Sequence, residues 1–170
     1  MIIIFDLDDT LYEEMTFVKG GIRAVSSFLE NHIQEKSELI YSDLMQILIK
    51  HGRGKIFDYF LKTRNVFSKK LVLKCINIYR YHKTNIKLYE GAYDFLKGHM
   101  RNSLYLVTDG NKNVQSHKVN SLKLDKFFKK IFITHRYGIK NAKPSLYCFQ
   151  KIKETEKCNW DDMVYIGDNP

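Results

Sequence analysis

The apolar positions of the chain follow two patterns. Ile2-Ile3-Ile4-Phe5 is short, wholly apolar, rich in β-branching and ended by acids, as in a strand buried on both faces. Three later segments repeat this: 103–108 (Ser-Leu-Tyr-Leu-Val-Thr), 130–134 (Lys-Ile-Phe-Ile-Thr) and 163–167 (Met-Val-Tyr-Ile-Gly). Each closes on a polar residue or Gly. A helical stretch near 112–122 separates the second from the third. Another, near 145–155, precedes the fourth, with Pro144 ahead of it as a helix start. Strand, helix, strand, helix, strand predicts a parallel sheet with right-handed crossovers. The expected fold class is α/β, a Rossmann-like parallel sheet with helices on both faces.

Residues 14 to 88 alternate differently. Phe17, Val18, Ile22, Val25, Phe28 and Leu29 recur at helical spacing. Leu39, Ile40, Leu44, Ile47 and Leu48 form a second set, with Ser37 as N-cap and Gly52 as stop. Leu71, Val72, Cys75, Ile76 and Tyr79 form a third, after Ser68 as N-cap. This spacing predicts an all-helical insertion at 14–88, between residues 1–13 and 89–170 of a discontinuous α/β core. A helix over 91–100 leads back to the second strand.

Composition narrows the class. The 170 residues are 44% hydrophobic, 28% charged and 14% aromatic, with 2 Pro and 9 Gly, which excludes collagen-like and simple disordered chains. No run of about 18 apolar residues exists, so no membrane span is expected. The first apolar run is too short for a signal peptide, lacks a basic leader and ends in acids. Cys75, Cys148 and Cys158 lie far apart; idle or buried thiols in a reducing cytoplasm are expected. The net charge is +9, but the lysines are scattered. A solvated surface attracting phosphorylated small molecules fits better than nucleic-acid binding.

Parallel sheets bind ligands at the carboxyl ends of their strands. There the first strand ends in Asp6-Leu7-Asp8-Asp9-Thr10. Acids two residues apart on extended chain face one site, and their repulsion invites a cation. Oxygen ligands with few carboxylates suit Mg²⁺. The segment 5–11, Phe-Asp-Leu-Asp-Asp-Thr-Leu, resembles motif I of the haloacid dehalogenase superfamily of phosphatases. Val107-Thr108-Asp109-Gly110-Asn111 resembles motif II, Asn141-Ala142-Lys143-Pro144 motif III, and Tyr165-Ile166-Gly167-Asp168-Asn169-Pro170 motif IV. All four occur in order, each at an expected strand or helix boundary. The helical block sits where this superfamily inserts a helical cap.

The resemblance implies roles. Asp6 is the nucleophile that forms an aspartyl-phosphate. Asp8 is the general acid–base, and its backbone carbonyl contacts the metal. Thr108 donates its hydroxyl to a phosphoryl oxygen, and Asp109 and Gly110 belong to the same phosphate-binding turn. Gly110 lets backbone N–H groups approach the anion. Lys143 offsets the charge of Asp6 and the phosphate. Asp168 completes the Mg²⁺ site with Asp6, and Thr10 and Asn169 support it. A cytoplasmic phosphatase acting on a small nucleotide or sugar phosphate is implied.

Two alternatives stand beside that reading. A phosphomutase also keeps the second Asp. Relatives carry another acid just past the Asp168 position, then a fifth strand and a last helix, whereas this sequence stops at Pro170. A truncated chain, or an inactive binding module, is therefore the second alternative. Dehalogenation does not need Asp8. A response-regulator receiver would close its third strand on Asp, where this chain has Thr134-His135. Substrate choice is expected to lie with Lys19, Arg23, Arg53, Lys55, Arg80, Tyr12 or His82, within or beside the insertion.

Overall fold

The computed structural model describes residues 1–99 and 103–168. In chain order the elements are β1 (Ile2–Phe5), α1 (Glu14–Ile33), α2 (Ser37–His51), α3 (Ile56–Thr63), α4 (Lys69–Tyr81), α5 (Glu90–Gly98), β2 (Leu104–Thr108), α6 (Lys112–Ser121), β3 (Lys130–Ile133), α7 (Tyr147–Glu156) and β4 (Met163–Ile166). The four strands form one parallel sheet, ordered β3-β2-β1-β4. Phe5 is in register with Leu106 on one side and Ile166 on the other, and Thr108 with Ile133. The carboxyl ends of all four strands therefore lie along one edge. The chain steps to opposite sides of β1 there, which opens the crevice where such sheets bind ligands.

Helices cover both faces. On one, Ile2, Ile4, Tyr105, Val107 and Phe132 pack with Cys148 and Ile152 of α7. On the other, the Phe5 ring meets Phe95 of α5 and Phe128 edge-to-face, at centroid distances of 5.6 and 6.1 Å. β1 and β2 are buried throughout, as their unbroken apolar runs require. β4 departs from that expectation. Val164, Tyr165 and Ile166 remain 42, 38 and 38% exposed, because β4 pairs with β1 on one edge only. Its apolar sequence marks a strand but not which edge is covered.

The chain divides into two compact units, Met1–Glu14 with Asn85–Pro170, and Met15–Thr84. The sequence boundaries, at 13/14 and 88/89, lie one and four residues away from these. The second unit is all helical, with a core of Val18, Ile22, Val25 and Leu29 from α1, Ile40, Leu44 and Leu48 from α2, Phe57, Phe60 and Leu61 from α3, and Val72 and Cys75 from α4. Helix α3 is an addition to the sequence reading. It has eight residues, too few turns to give a clear period. Gly21 lets α1 approach α4 closely: a Cβ there would stand 2.5 Å from the Tyr79 ring.

The Ser68 hydroxyl accepts from the Leu71 N–H at 3.1 Å, as an N-cap should. Ser37 is not an N-cap; Lys36 occupies that position without a side-chain bond, and the Ser37 N–H donates instead to Glu30. Helix α7 starts at Tyr147, not Ser145, because the Ser145 N–H closes a turn onto the Ala142 carbonyl. No described helix is long and apolar enough to cross a membrane.

Candidate active site

The sheet topology gathers the polar strand ends. Asp6 follows β1 directly, and its N–H donates to the Ile166 carbonyl of β4 at 2.8 Å. Its carboxylate is almost fully buried. Oδ1 accepts from the Leu7 N–H at 2.8 Å, and Oδ2 meets Lys143 Nζ at 2.6 Å. Burial pushes the Asp6 carboxyl above its ordinary value, against the opposing pull of Lys143. Burial also works against the charge of Lys143. Its hydrogen bonds to Asp6 and to the Tyr165 hydroxyl, at 2.9 Å, outweigh this and hold it above the ordinary lysine value. Lys143 is thus a firmly protonated cation beside the Asp6 carboxylate.

Asp8 sits on the same face and has its own set of donors. Tyr12 donates its hydroxyl to Oδ1 at 2.6 Å, Lys118 Nζ reaches Oδ1 at 2.7 Å, and Gln115 Nε2 reaches Oδ2 at 2.9 Å. Burial, then Asp8, raises the Tyr12 phenol far above its usual range, so it is a neutral donor. Tyr12 was expected to bear on substrate choice; it is fully buried instead and serves Asp8. In the helical unit, Arg23 pairs with Glu38 at 2.9 Å and lies over the Tyr41 ring. His82 is buried, with Nδ1 2.8 Å from the Tyr79 carbonyl oxygen.

The second strand end is equally ordered. Thr108 is buried, and its hydroxyl oxygen accepts from Gln115 at 2.6 Å. That leaves its proton for another acceptor. Gly110 adopts φ 124°, in the region that favours glycine, and a Cβ there would meet the Gln115 side chain at 3.4 Å. The Asp109 carboxylate is not turned to an anion. It accepts from the Thr134 hydroxyl at 2.6 Å and from the Lys143 N–H at 3.1 and 3.2 Å. A carboxylate would repel a phosphate, and here it braces the loop that carries Lys143.

At the last strand end the Asp168 N–H donates to Thr10 Oγ1 at 3.1 Å. This bond ties the first motif to the fourth across 158 positions. The Asp168 side chain is exposed. Asn169 lies outside the described residues. Among the described residues no three His, Cys, Asp or Glu side chains gather as a metal cluster. The groups that the resemblance implies for a metal, the Asp6 and Asp168 carboxylates with the Asp8 carbonyl, are all oxygen donors. That set fits a hard cation that keeps several waters.

The sequence pattern does not single out Gln115 or Lys118. The sequence signal was a helix, near 112–122, that follows the second motif and has few apolar residues. Tyr165 and Thr134 were likewise not singled out as partners of Lys143 and Asp109.

The Asp6 and Asp8 carboxylates, the Thr108 hydroxyl and the Lys143 ammonium gather at the carboxyl ends of β1 and β2, and Asp168 follows β4, its N–H bonded to Thr10. Residues 3–170 match the family of haloacid dehalogenase-like hydrolases. The chain belongs to this family and is an enzyme of its hydrolase type. It is 27% identical to a glyceraldehyde 3-phosphate phosphatase from Pyrococcus abyssi, over 98% of this chain and 72% of that protein. A protein of the same description from Methanocaldococcus jannaschii is 28% identical, over 98% and 75%. Among solved structures, the HAD-hydrolase YfnB from Bacillus subtilis, bound to magnesium, superposes with a TM-score of 0.67 at 20% identity, covering 96% of this chain and 76% of that one.

Proposed function

We propose that the chain hydrolyses a small phosphomonoester, with a three-carbon sugar phosphate as the first substrate to try. The observation that carries this is the pairing of two carboxylates with separate cations: Asp6 with Lys143 at 2.6 Å, and Asp8 with Lys118 at 2.7 Å. Each carboxylate can then hold its own role in one site. The glyceraldehyde 3-phosphate phosphatases among the relatives support the substrate class.

An Asp6 oxygen attacks phosphorus and forms a P–O bond as the ester P–O bond breaks. Asp8 enters this step as the carboxylic acid, gives its proton to the departing alkoxide and becomes the carboxylate. Water then attacks the acyl phosphate on Asp6 while Asp8 takes its proton, which returns Asp6 as carboxylate and releases phosphate. Thr108 donates its hydroxyl proton to a phosphoryl oxygen, and Lys143 balances the charge that gathers there. Asp6, Asp168 and the Asp8 carbonyl would hold Mg²⁺, which supplies charge neutralisation at the phosphoryl oxygens. A reducing cytoplasmic setting is part of this reading, with Cys75, Cys148 and Cys158 as free thiols. The helical unit, residues 15–84, is the cap in this reading, with a part in substrate choice.

The test is phosphate release from glyceraldehyde 3-phosphate and from p-nitrophenyl phosphate. Release with Mg²⁺ should be abolished by chelator and by Asp6→Asn. Equal rates in all three conditions would overturn the proposal.

A further inference from the structure

Helix α6 buries the wrong kind of side chain for a helix that only packs. Its buried residues are Gln115, Lys118 and Val119. Gln115 is 2% exposed and Lys118 3%. Burying an ammonium group and an amide is unfavourable unless both are satisfied. A leucine or methionine at either place would serve packing better. Both polar groups point at one target, for positions 115 and 118 share a helix face.

We propose that Gln115 and Lys118 are a two-residue clamp that fixes the Asp8 carboxylate for proton transfer. This rests on the phosphatase reading of the site. Lys118 Nζ takes Oδ1 at 2.7 Å and Gln115 Nε2 takes Oδ2 at 2.9 Å, one donor on each oxygen. Tyr12 adds a third on Oδ1. The carboxylate cannot rotate without breaking a bond to a buried group. Gln115 does a second job with the same nitrogen. It also donates to Thr108 Oγ1 at 2.6 Å. Its two amide protons thus join Asp8 to Thr108, the group for the leaving oxygen to the group for the phosphoryl oxygen. The amide orientation follows from the partners, since its oxygen in that place would face a carboxylate. Lys118 also lies 3.5 Å from Glu14, at the start of α1, which keeps the ammonium in place. Both are positioning residues; neither needs to touch substrate.

The two residues predict different losses. Lys118 holds Asp8, whose proton matters for a poor leaving group. In single-turnover experiments, Lys118→Met should slow cleavage of glyceraldehyde 3-phosphate about 100-fold, within the range for lost acid–base help. Its first step on p-nitrophenyl phosphate, whose leaving group needs no proton, should stay within about threefold, a margin set by the same acid–base argument. Gln115→Leu should slow both esters, since it also releases Thr108. Lys118→Arg should restore part of the loss. Thermal unfolding of Lys118→Met should occur below the wild-type temperature, because the substitution leaves the Asp8 and Glu14 carboxylates without their buried cation.

Wild-type rates in both variants would overturn the clamp. So would equal losses on both esters for Lys118→Met, which mark a merely structural lysine. If the wild-type chain releases no phosphate, the phosphatase reading fails and the clamp is judged on the side chains. Lys118 ammonium protons should then appear in a nitrogen-15 NMR spectrum as slowly exchanging and vanish in Asp8→Asn. Fast exchange in the wild type would overturn it.

Discussion

Removing the Asp109 carboxylate tests whether it braces the Lys143 loop. Asp109→Ala leaves two donors behind. The Thr134 hydroxyl is buried and loses an acceptor at 2.6 Å. The Lys143 N–H loses the two oxygens it shares at 3.1 and 3.2 Å. Hydrogen bonds to a charged group contribute about 1.5–3 kcal/mol each. Asp109 is only half-buried, so the lower end applies, and the two together come to about 3 kcal/mol. That corresponds to roughly 100-fold faster exchange of the Lys143 amide proton by local opening. Asp109→Asn keeps one acceptor and should lose about half the energy. Movement of Lys143 by about 1 Å would also slow phosphate release on the order of 100-fold. The measurement is residue-resolved amide exchange in the wild type and both variants. A Lys143 amide exchanging at the wild-type rate in Asp109→Ala would refute the brace.

Three further outcomes follow from the helical unit. Gly21→Ala should destabilise it by about 1–3 kcal/mol in urea unfolding, despite alanine's better helix propensity, because a Cβ would stand 2.5 Å from the Tyr79 ring and 3.1 Å from its carbonyl oxygen. Ser68→Ala should lower its stability by about 1 kcal/mol through the lost N-cap bond to Leu71, read the same way. Arg64 holds the Glu35 carboxyl below its ordinary value, chiefly by hydrogen bonding. A depressed carboxyl stabilises the fold above its unfolded-state pKa, and that stability disappears as pH falls through the lower folded-state value. Glu35→Gln should therefore cost up to about 1 kcal/mol at neutral pH and flatten the acid limb of a stability–pH curve; an unchanged acid limb would count against the pair.

Much of the architecture was legible in the chain. Four short apolar runs, each closing on a polar residue or glycine, predict a parallel sheet and locate its ligand edge, although only β1 and β2 are buried throughout. Asp6, Thr108 and Asp168 follow or close the strands that the apolar runs predict, whereas Lys143 precedes a turn and not the helix start that its sequence suggests. What lay beyond the sequence was pairing between distant segments. Thr10 with Asp168, Asp109 with Lys143, and Gln115 and Lys118 with Asp8 depend on which strand lies beside which, and only the order β3-β2-β1-β4 decides that. A glutamine and a lysine on a polar helix read as a solvated face in one dimension. Their burial, like the exposed edge of β4, is a property of neighbours rather than of local sequence. Local periodicity fixes where a side chain points relative to its own backbone, while the tertiary fold alone fixes what stands opposite it.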